Sequence, residues 1–89
     1  MMIDKSVLRR IQYRAWHRGT KEADLLIGGF FDKYSSTWTQ EEADLFETLL
    51  DEEDVDILSW AIGTAPCPAK YEGMLMQAMR ALDYIPIAR

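Results

Sequence analysis

Apolar residues recur along this chain at the three- and four-residue spacing of amphipathic helices, and strand-like alternation is almost absent. The pattern predicts a first helix from about Ser6 to His17, which Gly19 ends. Thr20 then stands where it can cap a second helix. The core-facing stripe of that helix is formed by Ala23, Leu26, Ile27, Phe30 and Tyr34. Two helices are therefore expected to meet at a tight corner around Gly19.

Three further helices are expected in the second half of the chain. Thr39 and Glu42 have the spacing of a capping box, which marks the start of a third helix. Asp54 is expected to cap a short fourth helix that ends at Gly63. The expected core residues of helices three to five are Ala43, Phe46, Leu49 and Leu50, then Ile57, Leu58, Ala61 and Ile62, then Tyr71, Met74, Leu75, Ala78, Met79 and Leu82. The sequence thus predicts an all-α fold, a compact bundle of five short helices in a single domain over residues 1–89. The tail around Pro86 is expected to be loose.

Composition narrows the function classes. One cysteine and one histidine cannot form a disulfide or a four-ligand zinc site within one chain. A net charge of −5 argues against nucleic acid as a partner, since phosphate binding needs clustered Lys and Arg. The apolar stretch 25–31 is too short to cross a membrane. The first residues match no targeting segment, so we expect a cytoplasmic bacterial protein, with the mitochondrial matrix as the alternative for a processed form.

Charge is distributed unevenly along the chain. Residues 1–18 carry five basic residues and one acidic residue, whereas residues 39–56 carry nine carboxylates and no Lys or Arg. If these segments lie on different sides, the molecule is dipolar and suited to oriented docking on a partner. The alternative is two solvated helix faces without such a role.

Opposite charges also meet at the predicted corner, where Arg18 and Glu22 flank Gly19. One interpretation is a local ion pair between Arg18 and Glu22 that fastens the corner. The other is a docking surface, in which a guanidinium, a carboxylate and bare backbone are offered to a partner. Sequence physics leaves both open.

Residues 13–30 read YRAWHRGTKEADLLIGGF. This run resembles the RGxxE signature of the succinate dehydrogenase flavinylation assembly factor family, and the resemblance extends over about residues 7–83. It implies an assembly factor, not an enzyme, that binds the flavoprotein subunit of succinate dehydrogenase and promotes covalent attachment of FAD to a histidine of that subunit. Fumarate reductase is a second candidate client. Carried over onto this chain, the contact residues would be Arg18, Gly19 and Glu22, with Arg14, His17 and Asp24 as neighbours.

The remaining chemical signals are weak. His17 lacks a partner for acid–base catalysis, and Cys67 is expected to be an inert loop thiol. Trp38 is expected to be an exposed aromatic or a hydrophobic staple. Gly28 and Gly29 do not form a dinucleotide-binding motif, so we expect no FAD to be held stably by this chain. We expect a monomer, with a generic helical interaction adaptor as the alternative function.

Overall fold

Helices make up the architecture of the computed structural model, which describes residues 3–82. They are α1 (Lys5–Trp16), α2 (Lys21–Tyr34), α3 (Gln40–Leu49), α4 (Asp54–Ile62) and α5 (Met74–Ala81). Short 3₁₀ turns follow α2 at Ser35–Thr37 and precede α5 at Ala69–Tyr71. No strand occurs within residues 3–82, so the predicted all-α fold of five short helices is confirmed.

The helix starts follow the local hydrogen-bonding chemistry of the sequence. Thr20 Oγ1 accepts a hydrogen bond from the backbone N–H of Ala23 at 3.2 Å. Thr39 and Glu42 form the predicted capping box, with bonds of 3.2 Å and 2.8 Å between each backbone N–H and the other side chain. Gly63 follows the last residue of α4. These predicted boundaries are confirmed.

The predicted capping role of Asp54 is wrong. Asp54 is the first residue of α4, and Glu53 occupies the cap position without a side-chain hydrogen bond. The Asp54 carboxylate instead accepts a hydrogen bond from Arg18 Nε at 2.7 Å. Both groups of this bond are charged, and the Asp54 side chain is thereby engaged by a distant residue and not by the backbone of its own helix.

Aromatic rings fill the core beside α2. The ring centroids of Trp38 and Phe46 are 4.8 Å apart, and Phe30 and Phe31 lie 5.9 Å and 5.7 Å from Trp38. Trp38 is only 8% exposed, so of the two predicted alternatives the exposed aromatic is wrong, and the hydrophobic staple stays a prediction. The turn at Ser35–Thr37 brings the chain back over α2 and carries the indole into this cluster.

Trp16 and Gly28 set the packing of α1 on α2. Gly28 is buried, and a Cβ atom added there would overlap the indole ring of Trp16. The ring can lie against α2 only because residue 28 has no side chain. This contact fixes how closely the two helices approach below the corner.

Two apolar residues that the sequence assigns to the core are exposed instead. Ile62 is 60% exposed and Met74 is 82% exposed. The buried residues of α4 and α5 are Ile57, Trp60 and Ala61, and Leu75, Met76 and Met79. Because α4 is apolar on both faces, the 3.6-residue period cannot tell which face meets the core. In α5 the buried stripe begins one residue after Met74.

None of the helices within residues 3–82 is both long and apolar enough to cross a membrane. The Cα radius of gyration is 12.3 Å, as expected for a folded chain of this length. The loose tail predicted around Pro86 lies outside the described residues.

Candidate functional site

The corner between α1 and α2 is open to solvent. Gly19 lies at its tip with a φ of +114°, in the region that favours glycine, as the sequence predicts. Within the described part of the chain, no atom other than those of its chain neighbours lies within 4 Å of the place where a Cβ would stand. A partner can therefore reach bare backbone at this point.

Asp24 fastens the corner from the α2 side. Its carboxylate Oδ1 accepts a hydrogen bond from the backbone N–H of Arg18 at 2.6 Å, and both residues are half-buried. Asp24 lies in the first turn of α2, where the helix dipole favours an anion. Asp24 therefore supports the backbone next to Gly19.

The side chain of Arg18 points inward, with only 11% of its surface exposed. Its three guanidinium nitrogens donate hydrogen bonds to Asp54 Oδ1 at 2.7 Å, to the carbonyl of Leu50 at 2.7 Å and to the carbonyl of Glu52 at 2.9 Å. The two carbonyls belong to the segment that joins α3 to α4, and Asp54 is the first residue of α4. The expected local ion pair between Arg18 and Glu22 is therefore not what fastens the corner.

Arg18 is the inner end of a row of ion pairs. Arginines spaced four residues apart reach acidic residues across the helix interface, as Arg10–Glu47 at 2.8 Å, Arg14–Asp51 at 2.6 Å and Arg18–Asp54 at 2.7 Å. We call these three pairs the arginine seam. The basic and acidic segments thus face each other, so the arrangement on different sides that would make the molecule dipolar is not the one observed. The outer two pairs are solvated, since the Arg10 side chain is 58% exposed and the Asp51 side chain is 71% exposed.

His17 lies exposed on the α1 side of the corner. Its Nδ1 is 2.7 Å from the carbonyl oxygen of Tyr13, and since that oxygen can only accept, Nδ1 carries the proton. The two rings stack with centroids 3.9 Å apart, and Tyr13 is 64% exposed. Sequence reasoning did not single out Tyr13 as a site residue, although its four-residue spacing from His17 is the signal for such a pair.

Glu22 is exposed, and among residues 3–82 its carboxylate has no hydrogen-bond or ion-pair partner. It stands at the rim of an apolar groove of about 430 Å³. The other residues within 3–82 that line the groove are Leu25, Leu26, Leu58, Ile62 and Leu82. Sequence reasoning did not find this groove, because it assigned Leu58 and Ile62 to the core.

The structure therefore divides the six predicted site residues into two groups. Gly19, Glu22 and His17 are exposed around the corner. Arg18 and Asp24 make the bonds that hold it, and Arg14 pairs with Asp51 in the arginine seam.

Two other titratable groups within residues 3–82, Cys67 and Tyr71, take part in contacts of the fold. Within residues 3–82 no group of three or more His, Cys, Asp or Glu residues could hold a metal ion. Burial raises the pKa of the Cys67 thiol, which disfavours the reactive thiolate. Burial, together with the hydrogen bond that its hydroxyl donates to Glu52 at 2.6 Å, raises the pKa of Tyr71 above its ordinary value. Tyr71 thereby ties the α3–α4 segment to the start of α5.

Two of the three tryptophans are buried, and Trp16 is half-buried. Trp38 and Trp60 are 8% and 7% exposed, and Trp16 lies against Gly28. The fold and the corner together define a small all-helical protein whose distinctive surface is a glycine-bent corner beside an apolar groove, a combination typical of protein-binding surfaces.

Comparison with known proteins identifies the family. The family described as flavinator of succinate dehydrogenase matches residues 9–83. The chain is 38% identical over 71 residues to the FAD assembly factor SdhE of Acetobacter pasteurianus, which is 80% of this chain and 65% of that protein. It is 44% identical over 66 residues to the mitochondrial succinate dehydrogenase assembly factor 2 of Lodderomyces elongisporus, covering 71% of this chain and 40% of that protein.

The corresponding factor of Saccharomyces cerevisiae is 40% identical over 72 residues, covering 78% of this chain and 44% of that protein. The chain therefore belongs to the succinate dehydrogenase flavinator family, which confirms the family predicted from the sequence. The names of these relatives are those of assembly factors and not of enzymes. The chain spans less than two thirds of the length of each of these three relatives.

Proposed function

We propose that this protein is an assembly factor that binds the flavoprotein subunit of succinate dehydrogenase through the α1–α2 corner and promotes covalent attachment of FAD to a histidine of that subunit. Family membership supports the client and the reaction. One structural observation supports the place of contact. Gly19 and Glu22 are exposed at a corner whose backbone is fixed from below by Asp24 and Arg18.

A rigid corner suits this task. Attaching the flavin is the cofactor's own chemistry once the target histidine is positioned, so the helper needs no nucleophile. The helper must instead bind the reactive conformation of its client more tightly than the unreactive one. A surface that is already ordered before binding loses little conformational entropy in doing so.

The role that we propose for each site residue depends on whether that residue is exposed. Gly19 gives the client close access to backbone, and Glu22 offers a carboxylate for a donor on the client. His17 flanks this contact on the α1 side. Arg18 and Asp24 act as positioning residues, and Arg14 supports them through the arginine seam.

Several finer features complete the proposal. Fumarate reductase is a second candidate client. FAD is held by the client and not stably by this chain. The protein acts as a monomer formed by one domain. Its proposed compartment is the bacterial cytoplasm, with the mitochondrial matrix as the alternative. Relatives from a bacterium and from yeast mitochondria match the chain, which supports both compartments.

The contact is tested by capture of the purified flavoprotein subunit on immobilised protein. Gly19→Arg is expected to reduce capture to background, because it strains a backbone with a φ of +114° and places a bulky cation at the contact. Gly73→Arg is the matched control. Gly73 is also exposed, has a φ of +143° and has open space at its Cβ position, but it precedes α5.

Both variants add the same side chain and a similar backbone strain, so a loss confined to Gly19→Arg marks a contact surface. Capture of Gly19→Arg at the wild-type yield, or equal loss in both variants, contradicts the assignment of the corner. Capture of an unrelated client in place of the flavoprotein favours the generic adaptor.

A further inference from the structure

The outer face of α4 is unusually apolar for a surface helix. Val55 is 68% exposed, Ile62 is 60% exposed, and Leu58 between them is half-buried. Their spacing of three and four residues places all three on one stripe of the helix. The opposite stripe packs into the core, so α4 presents apolar side chains to both protein and solvent. A helix of this kind on a small domain marks an interaction surface.

This stripe is continuous with the proposed contact surface. Leu58 and Ile62 form one wall of the apolar groove, and Leu25 and Leu26 of α2 contribute another. Glu22 stands on the same helix as the α2 wall, one turn before it. The groove therefore begins at the corner and leads from Glu22 onto α4.

The charge of Glu22 indicates which kind of segment the groove would bind. Glu22 is the one charged residue among the groove-lining residues described, and its carboxylate has no partner within residues 3–82. The arginines nearest in sequence, Arg14 and Arg18, are engaged by Asp51 and Asp54. Covering the groove would strip water from the Glu22 carboxylate, which is unfavourable unless the occupant supplies a cation.

We propose that the groove binds an apolar segment of the flavoprotein client, and that a Lys or Arg side chain of this segment pairs with Glu22. This inference rests on the proposed function and extends it from the corner to the α2–α4 surface. The same charge argument disfavours a second copy of this chain, because a twofold contact centred on the groove would bring two Glu22 carboxylates together.

Affinity for the purified flavoprotein subunit tests the apolar part. Ile62→Asn is expected to weaken binding about tenfold or more, because it places an amide in the apolar contact. Met74→Asn is the matched control, since Met74 is 82% exposed and does not line the groove. Both positions lie at helix ends and in solvent, so neither substitution disturbs the core. Binding should change less than about twofold in the control.

The salt dependence of binding tests the cation. Added salt should weaken binding of the wild type, and this sensitivity should be smaller in Glu22→Gln, which keeps the size of the side chain and removes its charge. Equal salt sensitivity in both proteins overturns the proposed pairing. Equal affinity of Ile62→Asn and Met74→Asn overturns the groove.

The outcomes separate this inference from the proposed function. If Gly19→Arg loses binding to the client while Ile62→Asn retains it, the proposed role of the groove is wrong and the proposed contact at the corner is kept. If the wild type does not bind the flavoprotein subunit, the proposed function fails and the inference with it. If light scattering shows a dimer that Ile62→Asn dissociates, the groove is an interface between copies and the proposal is overturned.

Discussion

At the scale of single residues, the absence of a side chain at Gly28 allows α1 to pack closely on α2. The indole of Trp16 lies where a Cβ of residue 28 would be, so the two residues act as a pair. Gly28 also sits in the middle of α2, where glycine by itself is less favourable than alanine. The close approach of the indole explains why this helix carries a glycine in its interior.

Gly28→Ala is expected to lower the free energy of unfolding by about 1–3 kcal/mol, because the added methyl displaces the indole. In a Trp16→Ala background the same substitution should change sign and raise stability by up to about 1 kcal/mol, through helix propensity alone. Urea unfolding followed by circular dichroism measures both values. A loss of the same size in both backgrounds contradicts the proposed overlap.

Residue-scale exposure also separates Arg18 from Glu22. Arg18 is nearly buried and bonded to three acceptors, whereas Glu22 is exposed without a partner among residues 3–82. Loss of activity at these two positions would therefore have different causes. Under the proposed function, a change at Arg18 would act through the fold, and a change at Glu22 would act through the contact with the client.

At the scale of elements, the arginine seam connects α1 to the α3–α4 segment. Its outer pair, Arg10–Glu47, is largely exposed and contributes little to stability. Its inner member, Arg18, satisfies two backbone carbonyls and one carboxylate in a half-buried place. The contribution to stability is therefore expected to increase along the arginine seam, from the exposed pair of Arg10 to the bonds of Arg18.

Arg18→Ala is expected to lower the free energy of unfolding by about 3 kcal/mol, because it leaves Asp54 unpaired and the carbonyls of Leu50 and Glu52 unsatisfied. Arg10→Ala should cost about 1 kcal/mol or less. Denaturant unfolding of the two variants makes the comparison. Equal losses would show that Arg18 does not clamp the segment.

Element boundaries could be predicted where their causes are local. The caps at Thr20 and Thr39 depend on residues three positions away, so the sequence reveals them directly. Asp54 was assigned wrongly because its partner, Arg18, is 36 residues distant. The exposed stripe of α4 was missed because both faces of that helix are apolar, which leaves the period without a preferred direction.

At the scale of the whole molecule, the chain folds so that its basic and acidic segments neutralise each other. Arg10, Arg14 and Arg18 pair with acidic residues of the same chain, whose net charge is −5, while the Glu22 carboxylate stands beside an apolar groove. The sequence predicted the corner and the positive φ of Gly19, because glycine at a helix end has few other uses. The inward turn of Arg18 needed the three-dimensional arrangement, since its acceptors come from a distant segment.

The central claim, that the Gly19 corner promotes flavin attachment, is tested most directly in cells that lack this protein. Covalent flavin is measured as the fluorescence of the denatured, gel-separated flavoprotein subunit of succinate dehydrogenase. The account predicts that the wild type and Gly73→Arg restore the fluorescent band and that Gly19→Arg does not. A band of undiminished intensity without the protein, or full restoration by Gly19→Arg, would contradict it.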